Sequence, residues 1–211
     1  MACPQMYSII NNRESALVFI LNCFFACWRK TAGLINMHPS VVIITKNEAH
    51  IIGNTLRSLE GLAADIVIVD SGSTDDTISI CRNFHCHIIE TKWLGYGPTK
   101  NLGIDAAGEE WILSIDADEA VDESLKQSIL ALTGGDDQTA YKLNFHTFFG
   151  SKRIRFGAWG KDKHIRLFNR KKVRWNDAAV HENLVMSEGI IIKEIAGNIL
   201  HYTSNSIADY Q

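Results

Sequence analysis

Four short apolar runs, separated by stretches with helical periodicity, constrain this chain more than any other feature. Val41-Val42-Ile43-Ile44, Ile66-Val67-Ile68-Val69, Cys86 to Glu90 and Trp111 to Ile115 are rich in β-branched residues and too short to be helices. An unbroken apolar run of that length suits a strand buried on both faces, as in a parallel sheet covered by helices. The stretches between supply the helices. Asn47-Glu48 opens one, with Ile51, Ile52, Leu56 and Leu59 on a single face and Gly61 as its stop. Thr74 is placed to cap a second, with Asp75 and Asp76 in its first turn. Thr99 to Ala107 reads as a third, and Asp122 to Leu132, closed by Gly134-Gly135, as a fourth. This alternation predicts an α/β fold built on a doubly wound, mostly parallel sheet, with ligands at the carboxyl ends of its strands. Further on, Ala140 to Phe149, His164 to Phe168 and Gly189 to His201 read as strands among Gly, Trp and basic loops. They predict a mixed C-terminal extension of the same sheet rather than a separate domain.

The 211 residues, 46% of them hydrophobic, are enough for one domain with a sizeable core and exclude a disordered chain. The net charge of −3 argues against a general nucleic-acid binder. That figure hides a segregation: Asp105 to Glu123 holds eight acids and no Lys or Arg, whereas Ser151 to Arg174 holds ten basic residues and one acid, Asp162. Cys3, Cys23, Cys27, Cys81 and Cys86 contain no C-x-x-C, so they suit a reducing cytoplasm better than a disulfide framework or a zinc site. The 13-residue apolar run Ala16 to Trp28 is shorter than the roughly 20 residues of a spanning helix, and it reads as a short buried or interfacial helix. Residues 1–36 are an extension of uncertain membership, with Met37 an alternative start just before the first strand.

Two strand ends carry the chemistry. Ile115-Asp116-Ala117-Asp118-Glu119 follows the fourth strand, and alternation puts Asp116 and Asp118 on one side, where two carboxylates hold a divalent cation and a ribose. The plainer reading is an acidic loop capping the next helix. Val69-Asp70-Ser71-Gly72-Ser73-Thr74-Asp75 ends the second strand with an acid placed to accept hydrogen bonds from a nucleoside. A Ser/Gly turn and helix cap account for Ser71 to Thr74 but leave Asp70 unexplained. No G-x-G-x-x-G follows the first strand and no G-x-x-x-x-G-K-[ST] occurs, which excludes the usual dinucleotide fingerprint and the P-loop.

Thr45-Lys46-Asn47-Glu48, the V-D-S-G-S-T-D-D-T block, Lys100-Asn101 after Gly95-Tyr96-Gly97-Pro98, and D-A-D-E together resemble a family 2 inverting glycosyltransferase of GT-A fold. Phe156-Gly157-Ala158-Trp159, Lys163 to Phe168, Val180-His181-Glu182 and His201-Tyr202-Thr203 are similar to its lipopolysaccharide-core β-glucosyltransferase branch. The likeness runs from about Pro39 to Gln211. It implies a nucleotide-sugar-binding half at 37–135 and an acceptor half at 136–211, with relatives continuing past the last segment into a further helical tail.

Carried over by position, the resemblance implies that Thr45, Asn47 and Glu48 line the nucleotide pocket and that Asp70 contacts the base. Lys100, with Asn101 beside it, approaches the base or diphosphate, and Asp116 faces the ribose. Asp118 binds a divalent metal, Mg2+ or Mn2+, with His201 as a further ligand, although a lone His at a strand end is as often structural. Glu182, with Asp177 in reserve, stands where a catalytic base is expected, against a plainer reading as a surface partner of the basic stretch. Arg153, Arg155, Trp159 and Arg166 are the expected acceptor clamp, against a plainer reading of the basic block as a solvated face. The implied donor is UDP-glucose or another UDP-hexose. The implied acceptor is an anionic glycolipid at the cytoplasmic face of the inner membrane, with no nucleic acid involved. Another polysaccharide or protein acceptor, or a non-catalytic UDP-sugar-binding remnant, stays open.

Overall fold

Strand β1 (Ser40–Thr45) is buried at every position, because one face of its apolar run meets helices and the other meets a second layer. The computed structural model describes residues 36–133, 136–157 and 162–204. Strand β2 (Asp65–Asp70) and β4 (Trp111–Asp116) flank β1 in parallel, and β3 (His87–Glu90) lies parallel outside β2. Alternate residues of these strands feed two cores. Val41, Ile43, Ile68, Leu113 and Ile115 pack with Ile52, Leu56 and Leu59 of α1 (Ile52–Ser58) and its exit, and with Leu125 and Ile129 of a later helix, α4 (Glu123–Leu130). Val42, Ile44, Val67, Val69 and Ile112 pack with Ile104 of α3 (Tyr96–Ala106) and with Phe168, Val173 and Trp175. Helix α2 (Thr77–Asn83) completes the crossovers.

The second half joins the same sheet, as its strand pattern predicted. Among the described residues the order is β3-β2-β1-β4-β8-β6-β11-β5, with β6 (Thr139–Phe149), β8 (Lys163–Asn169) and β11 (Ile191–Ser204) as the extension and β5 (Glu119–Val121) at its edge. β8 runs antiparallel to both β4 and β6, and β11 runs parallel to β6. Short β7 (Lys152–Arg153) pairs with β6, and β9 (Val173–Trp175) pairs with β10 (Leu184–Met186) in a small ribbon apart from the main sheet.

Two local expectations are corrected. Thr74 does not cap α2, which starts at Thr77; Asp75 accepts hydrogen bonds from the Thr77 backbone N (3.0 Å) and hydroxyl (2.5 Å), while the Thr74 N–H is drawn to Asn47 Oδ1 at 2.7 Å. Asp122 to Leu132 is not one helix from its first residue. Asp122 is the N-cap of α4, accepting from Leu125 N at 2.7 Å, and β5 (Glu119–Val121) precedes it, antiparallel to β11 with Glu119 opposite His201. The run Ala16 to Trp28 and Trp159 lie outside the described residues.

The charge segregation has a structural cause. Because β4 and β8 are antiparallel neighbours, the acidic and basic segments face one another. Asp105 pairs with Arg174 at 2.7 Å, Glu110 with Lys171, and Asp116 and Glu119 with Arg166. Arg170 donates to the carbonyls of Ile104 and Ala107 at the C-terminus of α3, where the helix dipole favours a cation. Four of the ten basic residues of the block, Arg166, Arg170, Lys171 and Arg174, are therefore engaged within the fold.

Candidate active site

The carboxyl ends of β1, β2 and β4 come level, with Thr45 opposite Asp70 and Ile44 opposite Asp116. A cavity of about 560 Å³ opens above them. Thr45, Glu48, Asp116, Asp118 and His201, all anticipated in the sequence, line it together. Lys46, Trp93 and Tyr96 line it as well and were not anticipated. Trp93 and Tyr96 form an edge-on aromatic pair 4.8 Å apart, about half exposed at the mouth, where an aromatic face is open to a planar ligand.

The loops after β1 and β2 hold each other. Asn47 sits at φ 58, a left-handed conformation that Asn tolerates better than most residues. Its backbone N donates to Ser73 Oγ at 2.8 Å, and the next one, Glu48 N, to Thr77 Oγ1 at 2.8 Å. Asp70 is 2% exposed. Its carboxylate accepts from Gly72 N (2.9 Å), Ser73 N (2.8 Å) and the Ser73 hydroxyl, so it is engaged by its own loop. The Asn47 carboxamide is likewise engaged, by Thr74. Glu48 reaches the cavity beside Asp118; burial first, then the Asp118 charge, raises its carboxyl above the ordinary range.

Below the cavity, charges alternate in a chain: Glu182, Lys100, Asp116, Arg166, Glu119. Lys100 Nζ donates to Glu182 Oε1 at 2.8 Å and lies 3.2 Å from Asp116 Oδ1 as an ion pair without hydrogen-bond direction. Arg166 Nη2 reaches Asp116 Oδ2 at 3.3 Å and Glu119 Oε1 at 2.8 Å, and Glu119 Oε2 accepts from Asp116 N at 2.9 Å. Burial opposes ionisation of Asp116, but Arg166 and Lys100 outweigh it and hold the carboxyl below the ordinary range. For Glu119 burial wins, aided by the Asp116 charge against the pull of Arg166, and the carboxyl is raised above the ordinary range.

Asp118 and His201 come together through β5. Pairing of Glu119 with His201 across β5 and β11, and Tyr202 N donating to Asp118 O at 3.0 Å, brings His201 Nε2 to 3.3 Å from Asp118 Oδ2. Burial works against the imidazolium, but the Asp118 hydrogen bond and the surrounding carboxylates raise its pKa overall. Among the described residues no three His, Cys, Asp or Glu side chains cluster as a complete metal cage. Two partly exposed donors, one carboxylate and one imidazole, instead fit a cation that takes its other ligands from a bound phosphate group and water.

Residues 40–187 match the model of the family described as Glycosyl transferase family 2. The chain belongs to glycosyltransferase family 2. It is 30% identical over 179 residues to an uncharacterized glycosyltransferase of Rickettsia typhi, covering 80% of this chain and 61% of the relative. It is 29% identical over 174 residues to the lipopolysaccharide core biosynthesis glycosyltransferase LpsC of Rhizobium meliloti, covering 77% and 62%. The chain thus spans about three fifths of the length of these curated relatives. Its fold is that of S. aureus TarS, solved as residues 1–349 with UDP-GlcNAc, at a TM-score of 0.54, 16% identity, and coverage of 81% of this chain and 59% of that one.

Within this family 2 domain the other expected residues fall in different places. Lys100 is buried under the cavity rather than lining it. Asn101 is spent on backbone: Nδ2 donates to Trp175 O (2.8 Å) and Oδ1 accepts from Trp175 N (3.2 Å). Glu182 is no surface partner of the basic stretch; its side chain is 17% exposed and its partner is Lys100. Asp177, on the same β9–β10 loop, is exposed. Arg166 is not available to an acceptor, because it is buried against Asp116, Glu119 and the Phe145 ring. Arg153 and Arg155 are exposed beside Phe156, the most exposed large apolar side chain described.

Proposed function

We propose that this domain transfers a hexose, glucose from UDP-glucose, with inversion onto a lipopolysaccharide-core or related glycolipid acceptor. The observation that carries it is the cavity where Asp116, Asp118 and His201 meet at the strand ends, with Glu182 linked to Asp116 through Lys100. LpsC supports the acceptor class, and the UDP-GlcNAc held by TarS supports the donor class. Residues 37–135 supply most of the donor side and residues 136–211 the acceptor side.

In this reading Asp116 receives the ribose, the Trp93–Tyr96 pair offers its face to the donor, and Asp70 and Asn47 shape the loops around it. Asp118 and His201 would hold Mg2+ or Mn2+, which when bound would neutralise charge on the leaving diphosphate. Glu182 accepts the proton of the acceptor hydroxyl as that oxygen bonds to the anomeric carbon. The bond from that carbon to the diphosphate oxygen breaks, and the nucleotide diphosphate leaves with the electron pair. Exposed Arg153 and Arg155, with Phe156, suit an anionic lipid-linked acceptor at the cytoplasmic face of the inner membrane. Among the described residues no helix is long and apolar enough to cross a membrane.

UDP release from UDP-glucose, measured with lipopolysaccharide core oligosaccharide as acceptor, tests this. EDTA should abolish release, Mn2+ should restore it, and Asp118→Ala should lose at least a hundredfold. Metal-independent turnover, or full activity in Asp118→Ala, would sink the metal role.

A further inference from the structure

We propose that Lys100 is a positioning residue for Glu182 rather than a contact to the nucleotide sugar. This rests on the reading of Glu182 as the general base. The Lys100 side chain is 3% exposed, whereas its two partners, Glu182 and Asp116, keep 17% and 31% exposure. The cation is closed in, whereas Asp116 lines the cavity and Glu182 keeps part of its side chain exposed. Its ammonium also lies 4.7 Å from the Trp175 ring centroid, a cation–π contact that closes another approach.

The backbone around Lys100 is built as a clasp on the loop that carries Glu182. Tyr96 N and Gly97 N, the first amides of α3, donate to Ala179 O (3.0 Å) and Ala178 O (3.2 Å). The two Asn101 bonds pin Trp175, at the start of that loop, to the same helix. Asn176 Oδ1 accepts from Ala178 N and Asn183 N, folding the loop onto itself, and His181 immediately before Glu182 takes φ 57. A non-glycine residue in that conformation persists only where its surroundings over-determine it. Lys100 adds the one charged bond of the clasp. It fixes Oε1 of Glu182, leaving Oε2 for a proton, and links this carboxylate to Asp116 on the donor side.

A double-mutant cycle with Lys100→Met and Glu182→Gln tests the assignment. The readouts are UDP release from UDP-glucose with Mn2+, using core oligosaccharide and water alone as acceptors, and UDP affinity by calorimetry. Glu182→Gln should slow release roughly a hundredfold or more, in the range of general base catalysis. Lys100→Met should slow it at least tenfold, and the double variant should be no slower than Glu182→Gln alone. UDP affinity should stay within about twofold throughout. Lys100→Arg, which keeps the charge and guards against a folding defect, should lower kcat severalfold without raising KM for UDP-glucose. Multiplying rate losses, or a tenfold weaker UDP affinity in Lys100→Met or Lys100→Arg, would overturn the positioning role and leave the base reading intact. Wild-type rates in Glu182→Gln would instead remove the base reading and the Lys100 role with it.

Discussion

Arg166 shows how strongly one buried side chain can depend on its partners. It is 8% exposed and supplies a cation to both Asp116 and Glu119. Removing one member of a buried ionic cluster leaves the rest uncompensated, at a cost of about 3–5 kcal/mol. Arg166→Met is therefore expected to lower the melting temperature by about 10 °C, taking 2–4 °C per kcal/mol for a domain of this size. Calorimetry checks it, and a melting temperature within about 2 °C of wild type would contradict the ionic role. At this scale the sequence was legible where strand ends are, since Asp116 and Asp118 follow an apolar run that stops at the cavity. Arg166 was misplaced because an Arg in Lys163-His164-Ile165-Arg166 reads the same whether its strand ends in solvent or beside an acidic strand. Only the antiparallel pairing of β8 with β4 decides that. Trp93 carried no signal, because a loop aromatic has no periodicity to say where it points, and Tyr96, read only within Gly95-Tyr96-Gly97-Pro98, was given no role.

Among the elements, the first turn of α3 bears most directly on the site. Gly97 has no side chain for a structural reason: a Cβ there would stand 1.8 Å from the Asn176 carbonyl oxygen, and one on Gly95 would be 2.5 Å from Ala179 Cα. Both glycines let the β9–β10 loop lie directly on the helix, and Gly95 also needs its φ of 97. Gly97→Ala should push that loop away, carrying Glu182 off Lys100, and cut kcat at least tenfold while UDP affinity holds. A variant with unchanged kcat would show that the close approach has no part in catalysis. Helix α3 was legible in outline from Thr99 onward, but not its first turn, Tyr96 to Pro98, where Gly97 and Pro98 weaken the helical signal. Strand β5 was hidden for a similar reason. Three residues inside an acidic stretch look like a helix cap, and only the long partner β11 makes them a strand and brings His201 to Asp118.

For the whole molecule, the layered α/β sheet was readable because buried parallel strands leave continuous apolar runs. The meaning of the charge segregation was not. Its two halves pair with each other, β8 against β4 and β9 against α3, and the exposed remainder includes Arg153 and Arg155 next to Phe156. If this edge meets an anionic membrane, each Arg adds about 1 kcal/mol near the surface. Arg153→Glu with Arg155→Glu should then weaken cosedimentation with phosphatidylglycerol vesicles at least tenfold, and equal binding by both proteins would contradict it. In the proposed reading the strand-end cavity is a metal-assisted site for a nucleotide sugar. Calorimetric titration of UDP-glucose into the wild-type protein and Asp118→Ala, each with Mn2+ or with EDTA, checks that reading. Wild-type binding should weaken at least tenfold in EDTA, and Mn2+ should no longer improve the affinity of Asp118→Ala. Binding of equal strength in all four titrations would refute a metal-assisted site.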